Sequence, residues 1–224
     1  MNLAEIAELL STGSLGLPGG LVTNAAAHNS DTRAITDLAF DSRSISPGSL
    51  FICWRGDKFD GHEFAPHAVE SGAAALLCER ELDLECPQLM VENGYRAMNR
   101  IASPFFGYPS RKLKLAGVTG TNGKTTTTFM LHSILSKLEP TGPSGLIGTI
   151  QVRAGDQVIP GVRTTPQSAD LQRLIKKMVD SQMVSCAMEA TSVGMSQGRI
   201  DGCEFDICVF TNLSQDHLDD HRSM

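Results

Sequence analysis

The sequence predicts an α/β protein with a small mixed α/β N-terminal domain and then an incomplete, doubly wound parallel sheet. Two observations carry this prediction. Apolar strands alternate with amphipathic helices from Leu113 to Phe210, which is typical of a parallel sheet. The helix-stopping string Gly107-Tyr108-Pro109 favours a boundary before that region. In a chain of 224 residues we therefore predict domains at 1–110 and 111–224.

The elements of the first domain follow from apolar spacing and turn residues. Residues 3–10 carry leucine and isoleucine at helical intervals and predict a short helix. Residues 11–30, rich in Gly, Ser and Asn, predict a loop. The other predicted elements are strands at 34–40, 50–54, 73–78 and 88–91 and helices at 63–71 and 93–106, the first of these helices being closed by Gly72.

The second domain reads as strand, loop and helix in turn. Pro166 is suited to the first turn of a helix, and apolar residues recur on one face from there to about residue 182. The predicted elements are strands at 113–119, 145–150, 184–188 and 206–210, helices at 124–138 and 166–182, a turn at 140–145 and a loop from 150 to 165. Because no closing helix follows, we expect the domain to be truncated at Met224.

A glycine-rich segment lies between the first strand and the first helix of this domain, at Gly117–Thr126. Glycines let the backbone curl so that several N–H groups face one anion, and the helix N-terminus and Lys124 add positive charge. Thr125 has the hydroxyl position that holds Mg²⁺ on a nucleotide in P-loops. Val118 stands where the general pattern has glycine, so the segment is a variant P-loop of an ATPase-type domain.

Two further strand ends carry polar residues. Ligands of open parallel sheets bind beyond the carboxyl ends of the strands, so these residues are expected near the loop. Glu189 ends a buried strand, where a carboxylate requires a cation or donors, and Mg²⁺ would supply one. His217 follows the next strand among Asp216, Asp219 and Asp220, and its neutral ring is a possible metal ligand.

Composition excludes several classes of protein. A net charge of −6 argues against a nucleic-acid partner. The six cysteines form no Cys-x-x-Cys pair, which favours reduced thiols and a cytoplasmic location. No apolar run approaches the ~20 residues of a membrane span, and no signal peptide is visible.

The loop Gly120–Thr126 resembles the ATP loop of the Mur ligases of peptidoglycan synthesis. Other strings along the chain are similar to that family as well. They are Asp41-Ser42-Arg43, Pro47–Phe51, Asp60-Gly61-His62, Thr164-Thr165, Met188-Glu189, Gln197-Gly198-Arg199 and Phe210–Asp219. The loop names the wider family. The first and last of these strings narrow the resemblance to the member that adds the third amino acid of the peptide.

The resemblance implies roles for individual residues. ATP would be bound by Gly120, Thr121, Asn122, Gly123, Lys124, Thr125 and Thr126. Mg²⁺ would be held by Thr125, Glu189 and His217, and the catalytic residues would be Lys124, Glu189 and His217. The UDP-sugar peptide would be held by Phe40, Ser42, Asp57, Lys58, Phe59, Thr164, Thr165, Thr191, Gln197 and Arg199. Arg199 also suits an anionic substrate on physical grounds, because its guanidinium forms paired charged hydrogen bonds.

The chain departs from the family in three places. Many members have histidine where this chain has Val193, and many have tyrosine where it has Asp220. A lysine that is carbamylated in the family would lie past Met224. We also expect the C-terminal domain, which receives the amino acid in the family, to be missing, so we expect the fragment itself to be inactive.

The resemblance implies an ATP-dependent carboxylate–amine ligase that works through an acyl phosphate. It would add diaminopimelate or lysine to UDP-N-acetylmuramoyl-L-alanyl-D-glutamate. Related ligases remain alternatives, namely folylpolyglutamate synthetase and the ligase that adds D-alanyl-D-alanine; the region of Asp41-Ser42-Arg43 and Gly61-His62 argues against the folate enzyme. A different alternative is a module that binds ATP or a nucleotide sugar and catalyses nothing.

Overall fold

The structure is a computed structural model that describes residues 1–12, 31–138 and 142–215. The chain divides into two compact units, Met1–Phe105 and Phe106–Met224. Each unit contains its own sheet, and the secondary structure is mixed α/β throughout. Among the described residues, no helix combines the length and apolar character that crossing a membrane requires.

A parallel four-stranded sheet forms the first unit, with the strands in sequence order. Its strands are β1 (Leu38–Ala39), β2 (Leu50–Ile52), β3 (Ala75–Cys78) and β4 (Gln88–Met90). Its helices are α1 (Leu3–Thr12), α2 (Ala65–Glu70) and α3 (Gly94–Phe105). Every residue of β2 and β3 is buried, as expected for strands that are covered on both faces.

The core of the first unit follows from the alternation of side chains along these strands. Phe51, Leu76 and Cys78 pack with Ala65 and Ala68 of α2 in one cluster. Leu50, Ile52 and Leu77 point to the opposite face because neighbouring residues of a strand alternate. After α2, Gly72 adopts a φ of +100°, a conformation that favours glycine, and so confirms the predicted helix stop.

A six-stranded sheet forms the second unit. Its strands are β5 (Lys114–Thr119), β6 (Ser144–Ile147), β7 (Gln151–Ala154), β8 (Gln157–Pro160), β9 (Ser185–Glu189) and β10 (Ile207–Phe210). The order across the sheet is β10-β5-β9-β6-β7-β8. The first four of these strands pair in parallel, whereas β7 and β8 are antiparallel. The predicted parallel sheet is therefore confirmed in these four strands, and an antiparallel hairpin that was not predicted extends it at one edge.

The helices of the second unit are α4 (Lys124–Leu135), α5 (Ser168–Asp180) and α6 (Ser192–Ser196). Leu171, Ile175 and Met178 of α5 pack with Cys186 and Met188 of the central strand β9. The alternate residues of β9 face the other side, where α4 lies against β9 and β6. The last of these alternate residues is Glu189, so the pleat alone directs its carboxylate toward the start of α4.

Several predicted elements differ from the observed ones. The segment 150–165 is not a loop, since it contains the hairpin of β7 and β8. The strand predicted at 34–40 is limited to Leu38–Ala39, and α1 runs two residues past its predicted end to Thr12. Helix α6 was not predicted. Most of the predicted loop at 11–30 and the start of the turn at 140–145 lie outside the described residues.

Candidate active site

The glycine-rich loop joins β5 to α4 as predicted. Strand β5 ends at Thr119, and α4 begins at Lys124 directly after Gly123, whose φ is +83°. The first backbone N–H groups of a helix have no partner within it, so this turn presents donors and a partial positive charge. At the start of the loop Gly120 has a φ of +127°, and a Cβ there would collide with the Thr211 side chain and the Asn212 backbone.

The segment after β10 holds the loop in shape. The Asn212 side chain accepts a hydrogen bond from the N–H of Asn122 at 3.0 Å and donates one to its carbonyl at 2.9 Å. The N–H of Thr121 donates to the Asn212 carbonyl at 3.0 Å. Two loop N–H groups are thus engaged by this neighbouring segment, which leaves the first turn of α4 to face a ligand.

Lys124 lies half-buried over the loop. Its Nζ donates to the carbonyls of Gly120 at 2.7 Å and Thr121 at 2.9 Å. Both acceptors are neutral, so the full charge of the ammonium group remains available to an anion in the loop.

Glu189 is 1% exposed and accepts three hydrogen bonds. Its Oε2 accepts from Thr125 Oγ1 at 3.0 Å and from Thr149 Oγ1 at 3.1 Å, and its Oε1 accepts from the N–H of Thr149 at 2.9 Å. Neutral donors therefore compensate this buried carboxylate. Its oxygens and the Thr125 hydroxyl are the hard ligands that Mg²⁺ prefers.

A second group of hydroxyls surrounds the end of β9. Thr165 Oγ1 donates to the carbonyl of Glu189 at 3.0 Å and lies 3.1 Å from Thr191 Oγ1. Thr191 also caps α6 by accepting from the N–H of Gly194 at 3.0 Å. Arg199 is 9% exposed and donates to the carbonyl of Thr165 at 3.0 Å. This guanidinium thus fixes the segment that carries Thr164 and Thr165.

One cavity of about 500 Å³ joins these groups. Its lining residues are Thr121, Asn122, Gly123, Lys124, Thr125, Thr126, Thr149, Arg163, Thr164, Thr165, Glu189, Thr191, Val193 and Arg199. Most of the residues predicted for ATP, metal and the peptide part of the substrate in the second unit therefore lie around a single space. Gln197 lies beside it and accepts two hydrogen bonds from Arg199.

Thr149 and Arg163 are cavity residues that the sequence reasoning missed. Thr149 follows the end of β6, at the carboxyl edge where ligands of such sheets bind. Since strand β6 was predicted to run to residue 150, Thr149 was assigned to its interior. Arg163 was placed in a featureless loop, whereas it follows the hairpin and precedes Thr164.

The predicted substrate residues of the first unit lie in two places. The Phe40 ring lies 5.8 Å from Trp54, whose ring is 5.4 Å from Tyr95, so an aromatic cluster forms there. Ser42 begins a short 3-10 turn that Asp41 caps. Asp57, Lys58 and Phe59 form an exposed turn that the Gly56 N–H closes on the Phe59 carbonyl at 3.0 Å.

The string Asp60-Gly61-His62 has a structural part in the first unit. The buried His62 ring contacts Asp60 Oδ1 through Nδ1 at 2.5 Å and accepts from the N–H of Glu79 through Nε2 at 2.9 Å. The second bond places the ring proton on Nδ1. Burial alone would raise the pKa of the Asp60 carboxyl, but hydrogen bonds from His62 and the charge of Arg80 outweigh it and lower the pKa to about 2.

His217 and the neighbouring Asp216, Asp219 and Asp220 lie outside the described residues. Within residues 1–12, 31–138 and 142–215, no group of three or more His, Cys, Asp or Glu side chains is placed to hold a metal ion. A metal in the cavity would therefore take Glu189 and Thr125 as its described protein ligands. Mg²⁺ commonly keeps several waters and binds through one or two carboxylates, so this set fits it.

Comparison with known proteins identifies the class of this chain. Residues 34–106 match the family model described as "Mur ligase family, catalytic domain", and residues 118–224 match "Mur ligase middle domain". The two matches together take in most of the sequence. The chain belongs to the Mur ligase family.

Individual relatives are more specific. The chain is 46% identical over 190 residues to the UDP-N-acetylmuramoyl-L-alanyl-D-glutamate–2,6-diaminopimelate ligase of Bacillus velezensis, covering 85% of this chain and 38% of the relative. It is 48% identical over 198 residues to the ligase of the same name from Geobacillus kaustophilus, covering 88% and 40%. The chain thus spans about two fifths of the length of these curated relatives.

A solved structure of a protein with the same name resembles this one in fold. The similarity has a TM-score of 0.62 at 25% sequence identity, and it covers 89% of this chain and 42% of the solved chain. The α/β arrangement described above is therefore a Mur-type fold.

Proposed function

We propose that this chain carries the UDP-sugar-binding and ATP-binding parts of an ATP-dependent ligase. The proposed reaction adds 2,6-diaminopimelate to UDP-N-acetylmuramoyl-L-alanyl-D-glutamate in peptidoglycan synthesis. The relatives named for this reaction support the proposal, as do their 46% and 48% identities over most of the chain. The observation that carries it is the cavity in which Lys124 and Thr125 of the loop meet Glu189.

The chemistry follows from what amide formation requires. A carboxylate is a poor acceptor for an amine at neutral pH, and transfer of a phosphoryl group makes it an acyl phosphate that an amine can attack. Two anions, the carboxylate and the triphosphate, must then lie within attack distance. Lys124 and the N–H groups of the first turn of α4 reduce their repulsion, so most of the rate gain comes from positioning and electrostatics.

The second unit, within predicted domain 111–224, would hold the nucleotide and its metal. Residues 120–126 would bind the phosphates of ATP, and Thr125 and Glu189 would be ligands of Mg²⁺. The ion would screen the charge of the transferring phosphoryl group. His217 remains a proposed third ligand on the strength of the family resemblance.

The UDP-linked substrate would be bound by both predicted domains. In domain 1–110 its uridine end would contact Phe40, Ser42 and the turn 57–59. In the cavity its peptide would meet Thr164, Thr165 and Thr191. Arg199 and the exposed Arg163 give this part of the cavity positive charge, which suits the carboxylates of a glutamyl peptide.

The substrates also favour a location. ATP and UDP-linked precursors are cytoplasmic metabolites, and all six cysteines of the chain are free thiols. A reducing compartment keeps thiols in that state. We therefore place the protein in the cytoplasm.

Calorimetric titration of ATP and of UDP-N-acetylmuramoyl-L-alanyl-D-glutamate tests the proposal. Lys124→Ala should weaken ATP binding about tenfold, because a charged hydrogen bond to phosphate is lost, and leave the UDP-linked ligand nearly unaffected. Lys114→Ala is the matched control, since this lysine begins β5, the strand that leads into the loop, and its Nζ pairs with Asp206 at a distance of 2.6 Å. An equal loss of affinity for both ligands in the Lys124→Ala variant would contradict the division into two binding regions.

A phosphate-release assay with diaminopimelate or lysine distinguishes a ligase from a module that only binds. Binding of both ligands without phosphate release would favour the alternative that the 224-residue chain only binds. Amide formation by this chain alone would refute the expectation that it is inactive. A wild-type chain that binds neither ligand would remove the proposed function altogether.

A further inference from the structure

Thr149 contacts Glu189 twice, once through its backbone and once through its side chain. Its N–H donates to Oε1 at 2.9 Å, and its hydroxyl lies 3.1 Å from Oε2. The two bonds approach different oxygens and so fix the rotation of the carboxylate as well as its position. Thr125, in contrast, contacts only Oε2.

The Thr149 hydroxyl also lies 3.0 Å from the hydroxyl of Thr164. A hydroxyl has one proton, and an ionised carboxylate can only accept. The Thr149 hydroxyl is placed to donate its proton to either of two acceptors, Glu189 Oε2 or Thr164 Oγ1. Thr149 thus lies between the buried carboxylate and the Thr164 hydroxyl, and Thr125 donates to the same carboxylate oxygen, Oε2.

The base of the β7–β8 hairpin holds Thr149 in place. The Gly161 N–H donates to the Ile150 carbonyl at 3.1 Å, and a Cβ on Gly161 would collide with the carbonyls of Gly148 and Thr149. Thr149 and Thr164 lie on the two sides of this base. The antiparallel hairpin therefore brings together two hydroxyls that are fifteen residues apart in sequence.

We propose that Thr149 is a positioning residue that orients Glu189 for Mg²⁺ and connects it with the substrate-facing hydroxyl of Thr164. Its role in metal binding rests on the function proposed above.

Substitution of Thr149 by valine and by serine tests this role, because valine keeps the backbone N–H and the shape but lacks the hydroxyl. Affinity for ATP is measured by calorimetry in Mg²⁺ and again in EDTA. Thr149→Val should weaken binding about tenfold in Mg²⁺, the effect of losing one hydrogen bond to a charged group, and leave binding in EDTA unchanged. Thr149→Ser should remain within about threefold of the wild-type affinity.

Thr36→Val is the matched control, because this hydroxyl donates to the Pro47 carbonyl at 2.9 Å in the first unit. It should leave both affinities unchanged. A merely structural role for Thr149 would weaken binding equally in Mg²⁺ and in EDTA, and that result would overturn the proposal. Unchanged affinity of Thr149→Val in Mg²⁺ would overturn it as well.

A double-mutant cycle in urea tests the contact without any ligand. Thr149→Val and Glu189→Ala should shift the unfolding midpoint together by less than the sum of their separate shifts, because each removes the hydrogen bond between the two side chains. Additive shifts would show that Thr149 does not position Glu189. If the wild-type chain failed to bind ATP, the proposed function would be wrong. The double-mutant cycle would still show whether Thr149 and Glu189 interact.

Discussion

Thr125 and Glu189 are 64 residues apart in sequence, and a hydrogen bond of 3.0 Å joins their side chains. Thr125 belongs to the first turn of α4, and Glu189 ends the strand that α4 covers. The bond therefore fixes the helix start against the central strand of the sheet. Its position makes Glu189 both a structural anchor and the predicted metal ligand, and these two roles can be separated by substitution.

Glu189→Gln and Glu189→Ala should differ in stability. The glutamine oxygen can accept from the N–H of Thr149, and its amide can donate to hydroxyls that rotate to accept. We expect Glu189→Gln to lower the free energy of unfolding by at most about 1 kcal/mol. Glu189→Ala should lower it by about 2–3 kcal/mol, because alanine leaves buried donors unpaired. Urea unfolding monitored by circular dichroism measures both, and equal losses would contradict the three observed hydrogen bonds.

Gly120→Ala should destabilise the second unit more than Gly123→Ala. Both glycines have positive φ, so an alanine at either position is strained by about 1 kcal/mol. A Cβ at Gly120 would also lie 2.9 Å from the Asn212 nitrogen, whereas a Cβ at Gly123 meets nothing within 4 Å. We expect Gly120→Ala to lower the free energy of unfolding by about 3 kcal/mol. Thermal unfolding of the two variants measures the difference between them.

Asp60 should make the first unit sensitive to acid. The pKa of Asp60 in the folded state, about 2, lies below the reference value of 3.8. The ionised carboxylate therefore stabilises the folded state at any pH above 3.8. The contribution is lost as pH falls from about 4 to about 2. Asp60→Asn should be less stable than wild type at pH 6, and its stability should fall less steeply across this interval in a series of urea titrations.

The cysteines should differ in reactivity toward a thiol reagent at pH 8. Burial raises the pKa of the Cys78 thiol to about 12 and also raises that of the fully buried Cys186, so neither forms a thiolate readily. Cys208 is exposed on β10. Mass spectrometry of alkylated peptides should find Cys208 labelled first, and early labelling of Cys186 would contradict its burial.

The sequence predicted the parallel core and the phosphate loop because both depend on strong local patterns. Apolar runs such as 113–119 are buried strands in the structure, and the change from Gly123 to Lys124 marks the start of α4. Helix ends were less certain, as the extension of α1 to Thr12 shows. Two additional residues change the apolar spacing little, so helix ends are predicted less precisely than helix interiors.

The hairpin of β7 and β8 was missed although a signal was present. Two short alternating runs flank Gly155-Asp156, and glycine at the first position of a two-residue loop is typical of a hairpin. Strand β8 is exposed along its whole length, so it lacks the apolar character by which strands were recognised. Thr149 was missed for a related reason, since its place in the cavity depends on a pairing that residues 151–160 make with each other.

The hydrogen bonds between Asn212 and Asn122 have a consequence for the order in which the protein folds. Contacts between residues that are 90 positions apart in sequence form only after the intervening chain has been synthesised, because the two segments must first come together. On a ribosome the glycine turn would leave the exit tunnel long before its partner. The capacity to bind a nucleotide should therefore arise late, when β10 docks beside β5.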